Sequence, residues 1–401
     1  MTRTSAKVTK RNMICSAILV CLAWAATLPA FAAGESETVQ RLYLSAATVP
    51  TNVAGIHTYA EPPKGFNPVT ASDVELATYG FPQRPDKQAD PDHYAMWERA
   101  MQAAKIRWHG DLKLHPGRSR TKGPAAPSPS SDAVQPQSGP ARLSNRQAAG
   151  VILNSGAKKW GTSSFNDIWT VISVPVVQVP FANGSCAADG WYYAMSLAGI
   201  DGYVWYGGST GNLSLFEPVE FTGVLEGINC FGGPPFYEAV VGLWDADYGF
   251  NGVFSLNPGD LFYTEIHAFG GCNSGSAFVE DLTTLTYNSY SIGNPCLLKQ
   301  TGTYANWIVA RPDFASGGAP DDLSPLGNTI GIFFDGGAVV NGKGQRFYPG
   351  SQAASTEILT MTDDASDQSI EIVNQGNTGS QGLSALWFQD TGCAFAGGCT
   401  P

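Results

Sequence analysis

The chain has 401 residues, of which only 14% are charged, with Gly 46, Pro 26, a formal net charge of −11 and a pI near 4.9. So few charges among so many helix-breaking residues exclude long charged helices and coiled coils. An acidic chain also lacks the basic footprint that nucleic acid or an anionic membrane requires, so neither is expected as a partner.

The first residues predict an export signal over 1–32: Lys7, Lys10 and Arg11, then MICSAILVCLAWAATL, then the small-residue site Ala30-Phe31-Ala32. The expected location is extracellular or periplasmic, with no membrane attachment once the signal is cleaved. Residues 33–116 carry most of the helix-forming sequence. ASDVELATYGF is one such stretch. DPDHYAMWERAMQAAKIRW is the other, with Tyr94, Met96, Trp97, Met101 and Ile106 near helical spacing. From Arg99 to Lys122 this region turns basic, which predicts docking onto the acidic remainder as an intramolecular, prosegment-like partner.

Residues 117–143 collapse into KGPAAPSPSSDAVQPQSGPAR, too poor in apolar residues to fold, and read as a linker. Over 144–401 the segments are short, alternating and rich in β-branched and aromatic residues, with Gly, Asn, Asp or Pro at the joints. The expected fold is all-β, one antiparallel sandwich. From Arg146 onward 23 acidic residues face 7 basic ones. Acid neutralises most of that charge, so the fold is expected to tolerate low pH.

Removal of the signal leaves six cysteines, an even number suited to an oxidising compartment. Cys272 and Cys296 lie symmetrically about Thr284 in SAFVEDLTTLTYNSYSI, which reads as a hairpin, so they form the first expected disulfide. Cys393 with Cys399 and Cys186 with Cys230 complete the set.

Of five histidines, only His267 follows the linker, and in LFYTEIHAF it reads as structural. A triad or multi-His zinc site confined to this part would have to share that one imidazole, so no metal and no cofactor are expected. Asp245-Ala-Asp247 resembles the start of a calcium loop, but Phe250 stands where the sharp-turn glycine belongs. What remains is carboxylate or amide chemistry, in which one group activates water and another stabilises an oxyanion.

The stretches QAAGVIL, ISVPVV, LAGIDG, VLEG with FYEAVVGLW, LNPGDLFYTEI, FVEDLTT and YANWIVARP occur in one order over most of 144–401. In that order they resemble the glutamic peptidases of the eqolisin family, secreted acid endopeptidases built as a β-sandwich. The resemblance implies that Glu226 stands where the family has its catalytic Gln, and Ala310 where it has its catalytic Glu. Gln147-Ala148, Leu197, Val240 and Gly242 fall on further cleft positions with changed chemistry. The implied general base is therefore missing, and its loss alone removes roughly 10²–10⁴-fold in rate.

The leading expectation is a degenerate peptidase site on a protein that binds peptide or glycan through an open concave sheet. Tyr192, Tyr193, Trp205, Tyr206 and Trp244 are its candidate contacts. Two alternatives stand beside it. One is an active acid endopeptidase pairing Glu226 with Glu238 or Glu265, which would share a proton at low pH. The other is a structural envelope protein.

Overall fold

The computed structural model describes residues 32–115, 141–145, 148–179, 190–201, 203–204, 215–216, 220–242, 250–271, 275–293, 300–312, 326–330, 332–340, 345–349, 356–362, 369–377 and 384–390. Residues 1–31 of the expected signal, the expected linker through 140, Gln147, Trp205, Tyr206, Trp244, Asp245-Ala-Asp247 and every cysteine named above except Cys230 lie outside them.

The N-terminal region comprises α1 (Ala32–Ser45), β1 (Thr48–Pro50), β2 (Ile56–Tyr59), α2 (Asp73–Thr78), α3 (Pro91–Ala103), β3 (Ile106–Arg107) and β4 (Lys113–His115). Local chemistry sets the helix starts. Ser72 and Glu75 form a reciprocal capping box on α2, while Asp90 caps α3 just ahead of Pro91. His93, Trp97, Ala100 and Met101 line the buried stripe of α3. The helix stops before Ile106, which the spacing had included; that residue sits in β3 and is 56% exposed.

Beyond residue 141 the described residues form strands and no helix: β5 (Ala141–Asn145), β6 (Ala148–Asn154), β7 (Phe165–Ser173), β8 (Val176–Gln178), β9 (Trp191–Ile200), β10 (Tyr203–Val204), β11 (Leu215–Phe216) and β12 (Glu220–Asn229). Then follow β13 (Phe236–Gly242), β14 (Phe250–Ser255), β15 (Leu261–His267), β16 (Gly275–Asp281), β17 (Thr286–Ile292) and β18 (Tyr304–Ala310). The last are β19 (Asn328–Ile330), β20 (Phe333–Val340), β21 (Gln345–Phe347), β22 (Thr356–Thr362), β23 (Ser369–Asn377) and β24 (Ser384–Asp390).

One layer runs β4-β14-β13-β12-β9-β18-β6-β22, and the other runs β20-β7-β15-β16-β17-β2-β1. The β23–β24 pair joins β22 to β20, so a single ladder passes through both layers. All pairings are antiparallel except β3 on β17 and β5 on β22. The inner faces meet in one core, with Val151, Ala194, Val224, Ala239 and Trp307 from the first layer and Ile168, Ile172, Phe262, Ile266 and Val279 from the second. The outer face of the second layer is also apolar, and there Trp169, Val171, Tyr263 and Phe278 receive Trp97, Ala100 and Met101 of α3. The expected antiparallel all-β fold is present, with the N-terminal strands β2 and β4 built into its two layers.

Three of the sequence motifs are turn chemistry. Asp201 accepts backbone N–H bonds from Thr301 (2.6 Å), Gly302 (2.7 Å) and Thr303 (2.6 Å), tying the end of β9 to the approach of β18. Gly302 has φ +64, and a side chain there would collide with Phe165 O. Asp260 accepts from the Asn257 backbone N–H in the turn before β15. Asp281 accepts from the Thr283 N–H and the Thr284 hydroxyl, closing the β16–β17 hairpin. The hairpin expected between Cys272 and Cys296 is thus present.

Replacing Asp201 by Ala removes the acceptor of four backbone N–H groups, those of Thr301, Gly302, Thr303 and Tyr304, and is expected to cost about 3 kcal/mol or more. Thermal unfolding should show a midpoint lowered by roughly 5–10 °C. Deleting residues 32–115 uncovers the β14 and β17 edges, so the truncated chain should aggregate at neutral pH, as read by size-exclusion chromatography.

Candidate functional site

Side chains of a strand alternate between faces, so register decides where each candidate carboxylate points. In the first layer Ala148 pairs with Ala310, Ala310 with Met195, Met195 with Leu225, and Leu225 with Glu238. This cross-strand row lies on the outer face, with Leu197, Val240 and Ile308 beside it. Glu226 is one residue out of step. It opposes Ala194 and Tyr237, which belong to the inner core.

Glu226 is fully buried between the layers. Ser196 Oγ donates to its Oε1 at 3.1 Å, and Oε2 has no hydrogen-bond partner. Burial pushes this carboxyl well above the usual range, against the weaker pull of Ser196. At the start of the same strand, Glu220 is pushed up to about 8 by burial, although Gln300 Nε2 donates to it at 3.2 Å. Both carboxyls are therefore neutral in the folded protein at mildly acidic pH.

The expected partners of Glu226 lie elsewhere. Glu238 occupies the outer face of the first layer, where His115 Nε2 reaches its Oε2 at 2.7 Å and Lys113 Nζ at 3.7 Å. Both come from β4, whose residues pair with β14, and His115 stacks on Phe250. Glu265 lies on the outer face of the second layer. The two-carboxylate dyad is corrected on this ground, because the three carboxylates occupy three different faces.

The open concave sheet is corrected as well. Met195, Leu197, Leu225 and Val240 are each buried to 1% exposure or less, so the centre of the outer face is closed. At its edge stands an aromatic group. Trp191 stacks on Tyr193 at 5.7 Å, and Phe236 meets both edge-on, with Lys113 Nζ 5.4 Å from the Phe236 ring. These three rings are half-buried, whereas Tyr192 points into the interior. Sequence reading named Tyr193 but missed Trp191 and Phe236, whose partnership depends on the β9–β12–β13 register. A separate groove of about 330 Å³ is lined by Asn52, Glu61, Arg107, Trp108 and Asp111 in the N-terminal region, with Asn288 of β17.

Among the described residues, a group of titratable side chains gathers under α3. Glu265 and His267 alternate with Tyr263 along β15, and Asp167 is the register partner of His267 on β7. His267 Nδ1 is 3.1 Å from Asp167 Oδ2, and His267 Nε2 is 3.3 Å from Glu265 Oε1. His93 of α3 places Nε2 3.4 Å from Glu265 Oε2 and Nδ1 3.6 Å from Asp90 Oδ2, and it stacks on Trp169 at 4.6 Å. Arg346 Nε closes the ring on Asp90 at 2.5 Å, and the Tyr263 hydroxyl donates to Glu265. Burial lowers both imidazoles, but the surrounding carboxylates win, holding His93 at about 9 and His267 at about 10. Sequence reading took His267 as structural because it counted histidines by region, whereas the fold brings His93 across from the N-terminal region.

No family model matches the chain, and no curated protein matches it. Solved structures do. Scytalido-glutamic peptidase with a transition state analog inhibitor aligns at TM-score 0.42 and 18% identity, covering 61% of this chain and 98% of that one. SCP-B, a member of the eqolisin family of peptidases in a complex with the tripeptide Ala-Ile-His, aligns at TM-score 0.40 and 16% identity, with coverage of 61% and 98%. Aspergilloglutamic peptidase from Aspergillus niger aligns at TM-score 0.35 and 23% identity, with coverage of 49% and 99%. The activities those names carry belong to those proteins.

The buried carboxyls give a pH dependence with a definite sign. Glu220 and Glu226 stay protonated when folded and ionise when unfolded, so the folded state binds more protons. Their contribution is fully present below about pH 4.5 and declines as pH rises toward about 8, the folded value of Glu220. Glu226→Gln is expected to raise the melting midpoint at pH 8 by roughly 5 °C and to leave it unchanged at pH 4. Differential scanning calorimetry across that range reads both.

Proposed function

We propose that this chain is an exported β-sandwich protein that holds a peptide or glycan at the edge of the outer face of its first layer, beside Trp191, Tyr193 and Phe236, and does not hydrolyse it. The observation that carries this reading is the apolar row Ala148–Ala310–Met195–Leu225. It fills the face where an eqolisin-type site would present its dyad, while Glu226 points into the core.

Acid hydrolysis of a peptide needs a base able to reach water and a donor facing the developing oxyanion. Glu226 is sealed between the layers, and Glu238 is held by His115 and Lys113, so neither is positioned as that base. The edge group Trp191, Tyr193 and Phe236 supplies what a binding surface needs: half-buried rings that stack on sugar faces or apolar side chains at low entropy cost, with Lys113 beside them. Export rests on the signal at 1–32. The N-terminal region is proposed to remain as a built-in partner, because its strands continue both layers.

Incubated with a denatured protein at about pH 3, the full mature chain should release no peptides by mass spectrometry. Cleavage that disappears in Glu226→Ala would replace the binding reading with the peptidase one. On peptide and glycan arrays the chain should retain ligands of one class. Trp191→Ala combined with Tyr193→Ala should weaken that binding about tenfold, the effect of losing about 1.4 kcal/mol of stacking. A chain with no array hit and no cleavage would point to the structural reading.

A further inference from the structure

A buried cluster holding two imidazoles and three carboxylates raises the question of what balances its charge. Asp90, Asp167 and Glu265 stand against Arg346 alone, so with both imidazoles neutral the group carries two uncompensated negative charges. Two protons can supply the balance, and so can one dication.

The geometry favours a place for the dication. His267 Nε2 and Glu265 Oε1 face each other at 3.3 Å, yet neither makes an aligned hydrogen bond, and Asp167 Oδ1 is likewise without a hydrogen-bond partner. The Glu265 side chain has no exposed surface. An unpaired carboxylate oxygen at such a position is costly unless something binds it. A tetrahedral zinc with ligands about 2.0–2.1 Å away separates neighbouring donor atoms by about 3.3 Å. The His267–Glu265 gap has that width.

The supporting contacts fit the same role. Asp167 Oδ2 sits 3.1 Å from His267 Nδ1, a donor-to-donor gap of similar width. Asp167, Glu265 and His267 each offer a donor atom within 4.8 Å of the others. His93 of α3 stands outside this set, 3.4 Å from the second oxygen of Glu265, and ties α3 to it.

We propose that Asp167, Glu265 and His267 bind a divalent transition cation of the zinc type, and that Glu265, whose second oxygen meets His93, links it to α3 on the outer face of the second layer. Mixed imidazole and carboxylate donors suit zinc better than calcium or magnesium, which take oxygen ligands. The cation is structural in this arrangement, since the site is enclosed and none of the peptide- or glycan-binding surface touches it.

The test uses the full mature chain, stripped with a chelator and then given zinc chloride. Elemental analysis after desalting should find about one zinc per chain, and the melting midpoint should rise by roughly 5 °C or more at saturating metal. Cobalt(II) added to the stripped wild-type chain should give the intense visible bands of tetrahedral coordination, a readout that needs no variant. His267→Ala should abolish both retention and bands, whereas Glu61→Ala, at an exposed position, should change neither. Zinc below about a tenth of an equivalent with no cobalt band, or retention unaffected by His267→Ala, would overturn the proposal and leave a cluster balanced by protons.

Discussion

The two-residue period of a β-strand governs this molecule more than any single contact. On β12 it sends Leu225 outward and Glu226 inward. On β15 it sends Thr264 and Ile266 into the core and sets Tyr263, Glu265 and His267 under α3. The carboxylates are thereby divided among faces that cannot communicate. A sandwich of two layers has one inner compartment and two outer ones, and each acquires a different chemistry. Between the layers a carboxyl survives only as a neutral acid. On the first layer's outer face Glu238 is matched by basic side chains from β4. On the second layer's outer face carboxylates and imidazoles gather beneath α3.

Much of the fold was legible in the sequence because it is written in local rules. The capping box at Ser72 and Glu75 and the Asp90-Pro91 start of α3 follow from a few adjacent residues. The aspartates of GID, PGD and EDLTT recur because each closes a turn with backbone N–H groups or hydroxyls, a job no apolar residue can do. The hairpin at Asp281–Thr286 needed only alternation and a turn.

The orientation of Glu226 was not legible. Eight consecutive residues of β12, Glu220 to Gly227, are buried. A strand covered on both faces shows no alternation of polar and apolar residues, and without it sequence alignment cannot say which side chains share a face. The cluster around Glu265 was hidden for a different reason. Its members are separated by as many as 256 residues, from Asp90 to Arg346, and no spacing rule spans a chain crossing of that kind. Region-by-region counting of histidines treated the linker as a wall, although the segments on its two sides fold against each other.

The order of strands has one more consequence. Among the described residues, the pairing path that threads both layers begins at β4 and ends at β1, and both belong to the N-terminal region. The sandwich is therefore hemmed at each end by the same short stretch of chain, which wraps it like a binding along the margins of a cloth. Open margins are the places where β-proteins recruit foreign strands and polymerise. In this molecule the covering of both margins, the docking of the helices and the completion of the layers are one event.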